Sequence, residues 1–263
     1  MYLINVGHER GKPHSSLLAT QRDADYPREP LALLVRRLHN FSGRLIRDDL
    51  SETILTQKQF AIDHPTWSDR GDLAHLFILE RGFAFKFEIM PNGQRHIAEF
   101  YGPGAICNWS RLNTFEKQDD IVFKAQSVVT LLDARKLETL LDERPGIASV
   151  FKRHELARAM RTTQRIRALI SRSGTEKLLF VLLDILDEFG TTGMMPEWLY
   201  IPFTQQELAD LLGVTPVHVS RTFSRLEEDG IILREKRSVK LLNTKQLREG
   251  LAYRRFFRTG SPS

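Results

Sequence analysis

A single cysteine, Cys107, in 263 residues excludes an internal disulfide framework and any four-cysteine zinc or iron–sulfur site carried by one chain. No apolar run approaches the roughly 20 residues that a membrane helix needs, and the opening MYLINVGHERGKPH lacks the apolar centre of a signal peptide. A cytoplasmic protein without a membrane partner is therefore expected. Also missing are a phosphate-cradling glycine loop, a nucleophile elbow and any metal-spaced set of His, Cys and Glu, so catalysis is not expected. Acidic residues are in the minority. Lys and Arg number 38 against 33 Asp and Glu, and the net charge of +5 tilts the chain modestly towards polyanionic partners.

What is present divides into segments. Residues 1–29 are polar, with two prolines and scattered charge, and read as a loose arm; His8 and His14 there read as solvated histidines rather than metal ligands. PLALLVRRLHNF at 30–41 predicts a short amphipathic helix, and DDLSETIL at 48–55 predicts another. From about 55 to 133 the pattern is β-like. Phe83, Phe85, Phe87 and Ile89 alternate, Pro91-Asn92-Gly93 marks a hairpin turn, and IVFKAQSVVTLLD resumes strand chemistry. Several short strands separated by turns predict a compact antiparallel roll over 30–144 rather than a parallel sheet.

Arg144-Pro145-Gly146 breaks that pattern, and a long helix is predicted from Ile147 to about Ser171, within a segment drawn as 145–173. Phe151, Leu156, Ala159, Thr163, Ile166 and Ile170 form a stripe with spacings near 3.5, while Arg153, Arg158, Arg161, Arg165 and Arg167 are placed on the other faces. So narrow a stripe fits a seam between two copies, built on Leu156, Ala159, Thr163, Ile166 and Ile170; the other reading is a helix lying on its own domain. TEKLLFVLLDILDEFG at 175–190 is apolar almost all round and belongs in the core of a carboxy-terminal domain over 174–250.

Residues 204–230, TQQELADLLGVTPVHVSRTFSRLEEDG, have the anatomy of a DNA-reading helix-turn-helix. Thr204 and Glu207 form a capping box, and Leu208, Leu211 and Leu212 line one helix face. Gly213 supplies a left-handed turn, Thr215 caps a second helix and Pro216 sits where a missing N–H is harmless. On that helix Val219, Phe223 and Leu226 must face the core. At about 100° per residue, Val217, Arg221 and Ser224 then lie opposite, with His218 and Ser220 flanking. A buried stripe backed by a polar, basic face suits a major-groove helix. Next, Ile231–Leu233 and Leu241–Leu242 flank REKRSVK, two short strands and a charged turn that make a wing. From Gly230 onward stand nine basic residues, Arg234, Lys236, Arg237, Lys240, Lys245, Arg248, Arg254, Arg255 and Arg258, against Glu235 and Glu249, and residues 251–263 read as a basic tail. Such a cluster suits phosphate contacts. The expected DNA-facing set is Thr204, Gln205, Thr215, Val217, His218, Ser220, Arg221 and Arg225, with Lys236, Arg237 and Lys240 on the wing.

A roll with a PNGQRHI hairpin, a long helix, and then FTQQELADLLGVTPVHVSRTFSRLEEDGII together resemble the Crp/Fnr family of bacterial transcription regulators. The resemblance covers roughly residues 30–250. It implies an α+β chain: an antiparallel, jelly-roll-like sensor roll, a long dimerisation helix and a winged helix-turn-helix. The homodimer would read a two-fold site on double-stranded DNA and work with RNA polymerase. Two departures stand out. Members that bind cyclic AMP carry a glycine-glutamate pair after the roll's Pro-Gly turn and an arginine-serine or arginine-threonine pair further on. Here Pro103-Gly104 is followed by Ala105, Ile106, Cys107, Asn108, Trp109 and Ser110, and downstream come Phe115, Glu116, Lys117 and Gln118 with the acidic pair Asp119-Asp120. Cyclic AMP is therefore not expected, nor is an iron–sulfur cluster. The effector is unassigned, with Gly104, Cys107, Asn108, Thr162 and Thr163 as pocket candidates. Haem or thiol sensing through Cys107 is one reading of that residue, and simple burial is the other. In the reading head, Val217 holds a position where many members have a glutamate that accepts from cytosine, whereas Arg221 matches an arginine placed to bond guanine O6 and N7. The alternative function is a regulatory subunit with the roll as ligand switch and the winged helix gripping protein.

Overall fold

A computed structural model of the chain describes residues 26–41, 47–66, 75–113, 120–193 and 196–257. The readings placed on His8, His14, Phe115 to Asp119 and Arg258 lie outside them.

Helix α1 (Ala32–His39) buries Leu33, Leu34, Val35 and Leu38, and its Leu31 N–H donates to Glu80 Oε1 at 2.9 Å. Helix α2 (Arg47–Ser51) is shorter than the 48–55 expected. The Leu50 carbonyl accepts from both the N–H and the hydroxyl of Thr53, which closes the helix, and Ile54 then enters strand β1 (Ile54–Gln59).

Two antiparallel sheets make the roll. One runs β1-β7-β3, with β3 at His75–Arg81 and β7 at Val128–Asp133; the other runs β2-β6-β4-β5, with β2 at His64–Thr66, β4 at Ala84–Ile89, β5 at Arg95–Tyr101 and β6 at Asp120–Phe123. At the tip between β4 and β5, Met90 N–H donates to the Gln94 carbonyl and Gly93 takes φ 81°, a conformation that costs glycine little. A turn of 3-10 helix at Trp109–Asn113 follows the Pro103-Gly104 turn.

Both faces of β4 are buried, in two different cores. Ala84 joins Phe77, Leu79, Tyr101, Ile121, Phe123 and Leu131 inside the roll. Phe83, Phe85 and Phe87 point the other way and join Ile97 and Phe100 in a core shared with the carboxy-terminal unit. The alternating phenylalanines thus mark the roll's outer face. Phe203, just before the helix-turn-helix, stands between the units, 5.0 Å from the Phe83 ring and 5.8 Å from Phe100, both edge-on. Each such side chain removed from water contributes about 1.5–3 kcal/mol.

Asp133 caps α3 (Ala134–Glu143), a helix inside the segment expected to be roll, by accepting from the N–H groups of Arg135 and Lys136. Helix α4 (Pro145–Ser171) starts with proline at its first position. Helix α5 (Gly174–Gly190), capped by a Ser173/Glu176 box, is buried almost all round. A three-stranded sheet β8-β10-β9, with β8 at Leu199–Tyr200, β9 at Ile232–Glu235 and β10 at Ser238–Leu241, encloses α6 (Gln205–Leu212) and α7 (Pro216–Glu228), and α8 (Thr244–Gly250) follows.

Three expectations change. Arg161 and Arg165, placed on outer faces of the long helix, are buried, because α5 sets Asp184 and Glu188 opposite them. Phe151, counted in the stripe, instead stacks on Trp109 with ring centroids 5.3 Å apart, inside a core with α1 and α3. The segment after Gly250 is not free along its length, since Leu251, Tyr253 and Phe257 are buried.

Candidate nucleic-acid interface

The helix-turn-helix is assembled from local signals. The Thr204 hydroxyl accepts from Glu207 N–H at 3.1 Å while Glu207 Oε2 accepts from Thr204 N–H at 2.7 Å, so two orphan donors are satisfied reciprocally. Gly213 ends α6 at φ 66°. Thr215 caps α7 by accepting from His218 N–H at 3.2 Å. Val219, Phe223 and Leu226 are buried, which fixes the rotation of α7. Val217, Arg221, Ser224 and Arg225 are then exposed on the far side, with Ser220 half-buried beside them. His218 is exposed too, but its ring lies against Gly174 at the start of α5 and leaves no room there for a Cβ. Thr204 and Gln205 are exposed at the start of α6. What α7 offers is an outward arginine and hydroxyls around an apolar contact, able to bond a base edge and touch a thymine methyl.

The wing's basic residues do not act alike. Lys236 is exposed at the turn between β9 and β10, with φ 53°. Arg237 instead donates to the carbonyls of Pro202 at 3.3 Å and Phe203 at 3.1 Å and stacks over Tyr200, so it braces the segment leading into α6. Lys240 Nζ pairs with Glu197 at 2.5 Å. Arg234 lies over the Phe223 ring, and Arg248 and Arg255 both pair with Asp187. Counting charge within residues 230–263 missed Glu197 and Asp187, which the fold brings in from earlier in the chain.

Sequence reasoning also missed how α6 docks on the roll. Lys124 Nζ bonds the capping-box Glu207 at 2.9 Å, and Arg95 Nε bonds Asp210 at 2.8 Å. Both pairs link residues more than 80 positions apart, and nothing in either local pattern signals the partner.

On α4, Leu156, Ala159, Thr163, Ile166 and Ile170 are all exposed, joined by Met160. Each effector candidate is engaged within the chain or buried in it. Gly104 lies under α1, where a Cβ would come within 2.6 Å of the Leu33 carbonyl. Asn108 uses both ends of its amide on β3, accepting from Phe77 N–H at 2.8 Å and donating to the His75 carbonyl at 2.9 Å. Cys107 is fully buried, and burial pushes its thiol pKa well up. The Thr162 hydroxyl reaches Glu99 at 3.4 Å, whereas Thr163 bonds back to its own helix at Ala159.

Comparison with known proteins follows the same division. A family described as the Crp-like helix-turn-helix domain matches residues 176–249. The chain is 26% identical over 183 residues to the probable transcriptional regulator flp of Lacticaseibacillus casei, covering 67% of this chain and 78% of that one. It is 27% identical over 199 residues to the nitrogen fixation regulation protein FixK of Azorhizobium caulinodans, covering 73% and 78%. Its fold is shared with FixK2 from Bradyrhizobium japonicum at a TM-score of 0.64 and 18% identity, over 74% of this chain and 96% of that one. With a capped reading helix and a wing inside the matched Crp-like helix-turn-helix domain, the chain is a DNA-binding transcription regulator similar to those of the Crp/Fnr type.

Proposed function

We propose that the protein works as a homodimer reading a two-fold DNA site, with α7 in the major groove and the roll governing when it does so. The observation that carries this reading is the exposed face of α4. Leu156, Ala159, Thr163, Ile166 and Ile170 recur at alternating spacings of three and four, and Ile166 and Ile170 are 51% and 79% exposed. Large β-branched side chains in that pattern are stable when a second helix covers them, and a second copy supplies the same seam by symmetry. Two reading heads then meet half-sites about 34 Å apart. No enzymatic step is part of this reading.

The roll's effector is not cyclic AMP in this proposal. The guanidiniums that reach the Pro103-Gly104 turn serve the chain itself: Arg37 holds the Pro103 carbonyl and Glu188, and Arg158 holds the Ile106 carbonyl and Glu99. A cyclic phosphate would have to displace those partners to gain an arginine clamp. The alternative of a regulatory subunit gripping protein has less support, because the outward face of α7 carries Arg221 and Arg225 in the open.

Footprinting on genomic fragments, together with the stoichiometry of the shifted band, tests the proposal. Two protected half-sites one helical turn apart with two chains per duplex are expected. One chain on a single half-site would refute the dimeric reading. Calorimetric binding of cyclic AMP at micromolar concentration would refute the effector statement.

A further inference from the structure

Helix α5 opens the DNA-binding unit and carries Asp184 and Glu188 one turn apart on one buried face. Glu188 accepts from three parts of the chain that precede this unit. They are Arg37 Nη2 of α1 at 2.6 Å, the Gly102 N–H in the turn after β5 at 2.8 Å, and Arg161 of α4. Asp184 accepts from Arg161 Nε at 2.5 Å, Arg165 Nη1 at 3.0 Å and the Tyr253 hydroxyl at 3.2 Å. The approach at Gly102 is so close that a Cβ there would fall 2.7 Å from Glu188 Cγ. Burial alone would push the Glu188 pKa up, but Arg161 and Arg37 hold it well below the usual carboxylate range. The group is therefore ionised wherever DNA binding can be measured.

The neighbouring contact between the units differs in kind. Phe83, Phe85, Phe100 and Phe203 form an apolar cluster, and apolar contact is non-directional. Charge-assisted hydrogen bonds from three directions are directional, and they fix α5 against sliding or rotation.

We propose that Glu188 is a positioning residue for DNA reading: it sets the angle at which the reading head sits on α4 and so the spacing between the half-sites the protein selects. This rests on the dimeric reading proposed above. Two heads joined through paired α4 helices present their α7 helices at one separation only if each head has one orientation. Every deviation in a head is repeated by symmetry in its partner.

Selection of binding sites from random DNA by the wild-type chain, Glu188→Gln and Gly102→Ala tests the proposal. Glu188→Gln removes the charge that gathers Arg37 and Arg161. Gly102→Ala leaves the charge in place and displaces the carboxylate from the roll side, so it keeps the question open should the first variant not fold. The wild type is expected to select one centre-to-centre spacing. Either variant is expected to spread over neighbouring spacings of one or more base pairs while choosing the same bases within each half-site. A residue that only supported stability would lower binding to every site alike, and an unchanged spacing distribution in both variants overturns the proposal while leaving the dimer intact. Selection of isolated half-sites by the wild type overturns the dimeric reading, and this proposal with it.

Discussion

The two long faces of α4 depart from the usual amphipathic helix, in which apolar residues face the core and charges face water, because arginines are buried on one and large apolar residues are exposed on the other. Towards the body of the molecule α4 turns His154, Arg161, Gln164 and Arg165, all buried; towards solvent it turns Leu156, Met160, Ile166 and Ile170. The inner face buries these arginines beside Val150, Phe151, Ala157 and Ala168 because α5 meets them with two carboxylates, and the outer apolar residues have no covering element among the described residues. The faces therefore do different work. The charged one fastens the reading head by directional bonds within the chain, and the apolar one suits a non-directional seam with a second copy. His154 on this face packs near Phe41 and Phe257, and burial lowers its pKa against the opposing pull of Glu155, 3.0 Å from its Nδ1.

The sharpest way to break this contrast is to remove charge from the inner face. Arg161→Met leaves Asp184 and Glu188 without their shared partner, and breaking a buried pair in this way costs about 3–5 kcal/mol. At about 2–4 °C per kcal/mol for a chain of this size, the melting temperature should fall by roughly 6–20 °C. Ile170→Ala on the outer face, melted at a concentration where the chain is monomeric, should stay within about 0.5 kcal/mol of wild type. Equal losses from the two substitutions would erase the distinction between the faces.

The reading head allows a comparison of the same kind between specificity and support. Arg221→Ala should cost roughly 1–3 kcal/mol in binding and relax preference at one base pair of each half-site. Lys236→Ala should weaken all sequences alike and lower the salt slope by about one. Arg237→Ala should instead reduce thermal stability, because its guanidinium holds the Pro202 and Phe203 carbonyls. An Arg237→Ala change that lowers the salt slope without touching stability would return that residue to the phosphate contacts.

How much of this was legible in the sequence follows from where each signal lies. The helix-turn-helix was legible to the residue, because Thr204, Glu207, Gly213, Thr215 and Pro216 act within four positions of their targets. The exposed stripe from Leu156 to Ile170 was legible for the same reason. The buried arginines were not: Arg161 meets Asp184 23 positions away, and Arg37 meets Glu188 151 positions away. Periodicity places a charged residue on a face but does not say whether that face has a carboxylate opposite. The alternation of Phe83, Phe85 and Phe87 likewise signalled a strand with an apolar face, but not that the face lay outside the roll. The helical period places Val217 outward, as the structure has it. The same period places His218 beside the groove, but in the structure its ring lies against Gly174.

Acid provides a smaller and more specific test of the inner face. The folded-state pKa of Glu188 is depressed, so its contribution is complete above the unfolded carboxyl value of about 4.3 and is lost as pH falls towards the folded value. Wild-type stability should therefore drop more steeply below about pH 4.3 than that of Glu188→Gln. Parallel curves from urea titrations at stepped pH would remove Glu188 from the account. The smallest expected effect is at Cys107. Burial raises its thiol pKa, so aqueous disulfide reagents should label it no faster than the chain unfolds. Rapid labelling of the native protein would show that the turn around Cys107 opens.

The central claim is that the apolar face of α4 is covered by a second copy, and sedimentation equilibrium tests it most directly. At micromolar concentration the wild type is predicted to sediment at twice the 30.4 kDa of one chain. Ile166→Asp would bury a carboxylate in the seam and is predicted to sediment as a single chain with unchanged circular dichroism. A wild type that sediments as a monomer at concentrations where it binds DNA, or an Ile166→Asp variant that remains dimeric, would contradict the claim.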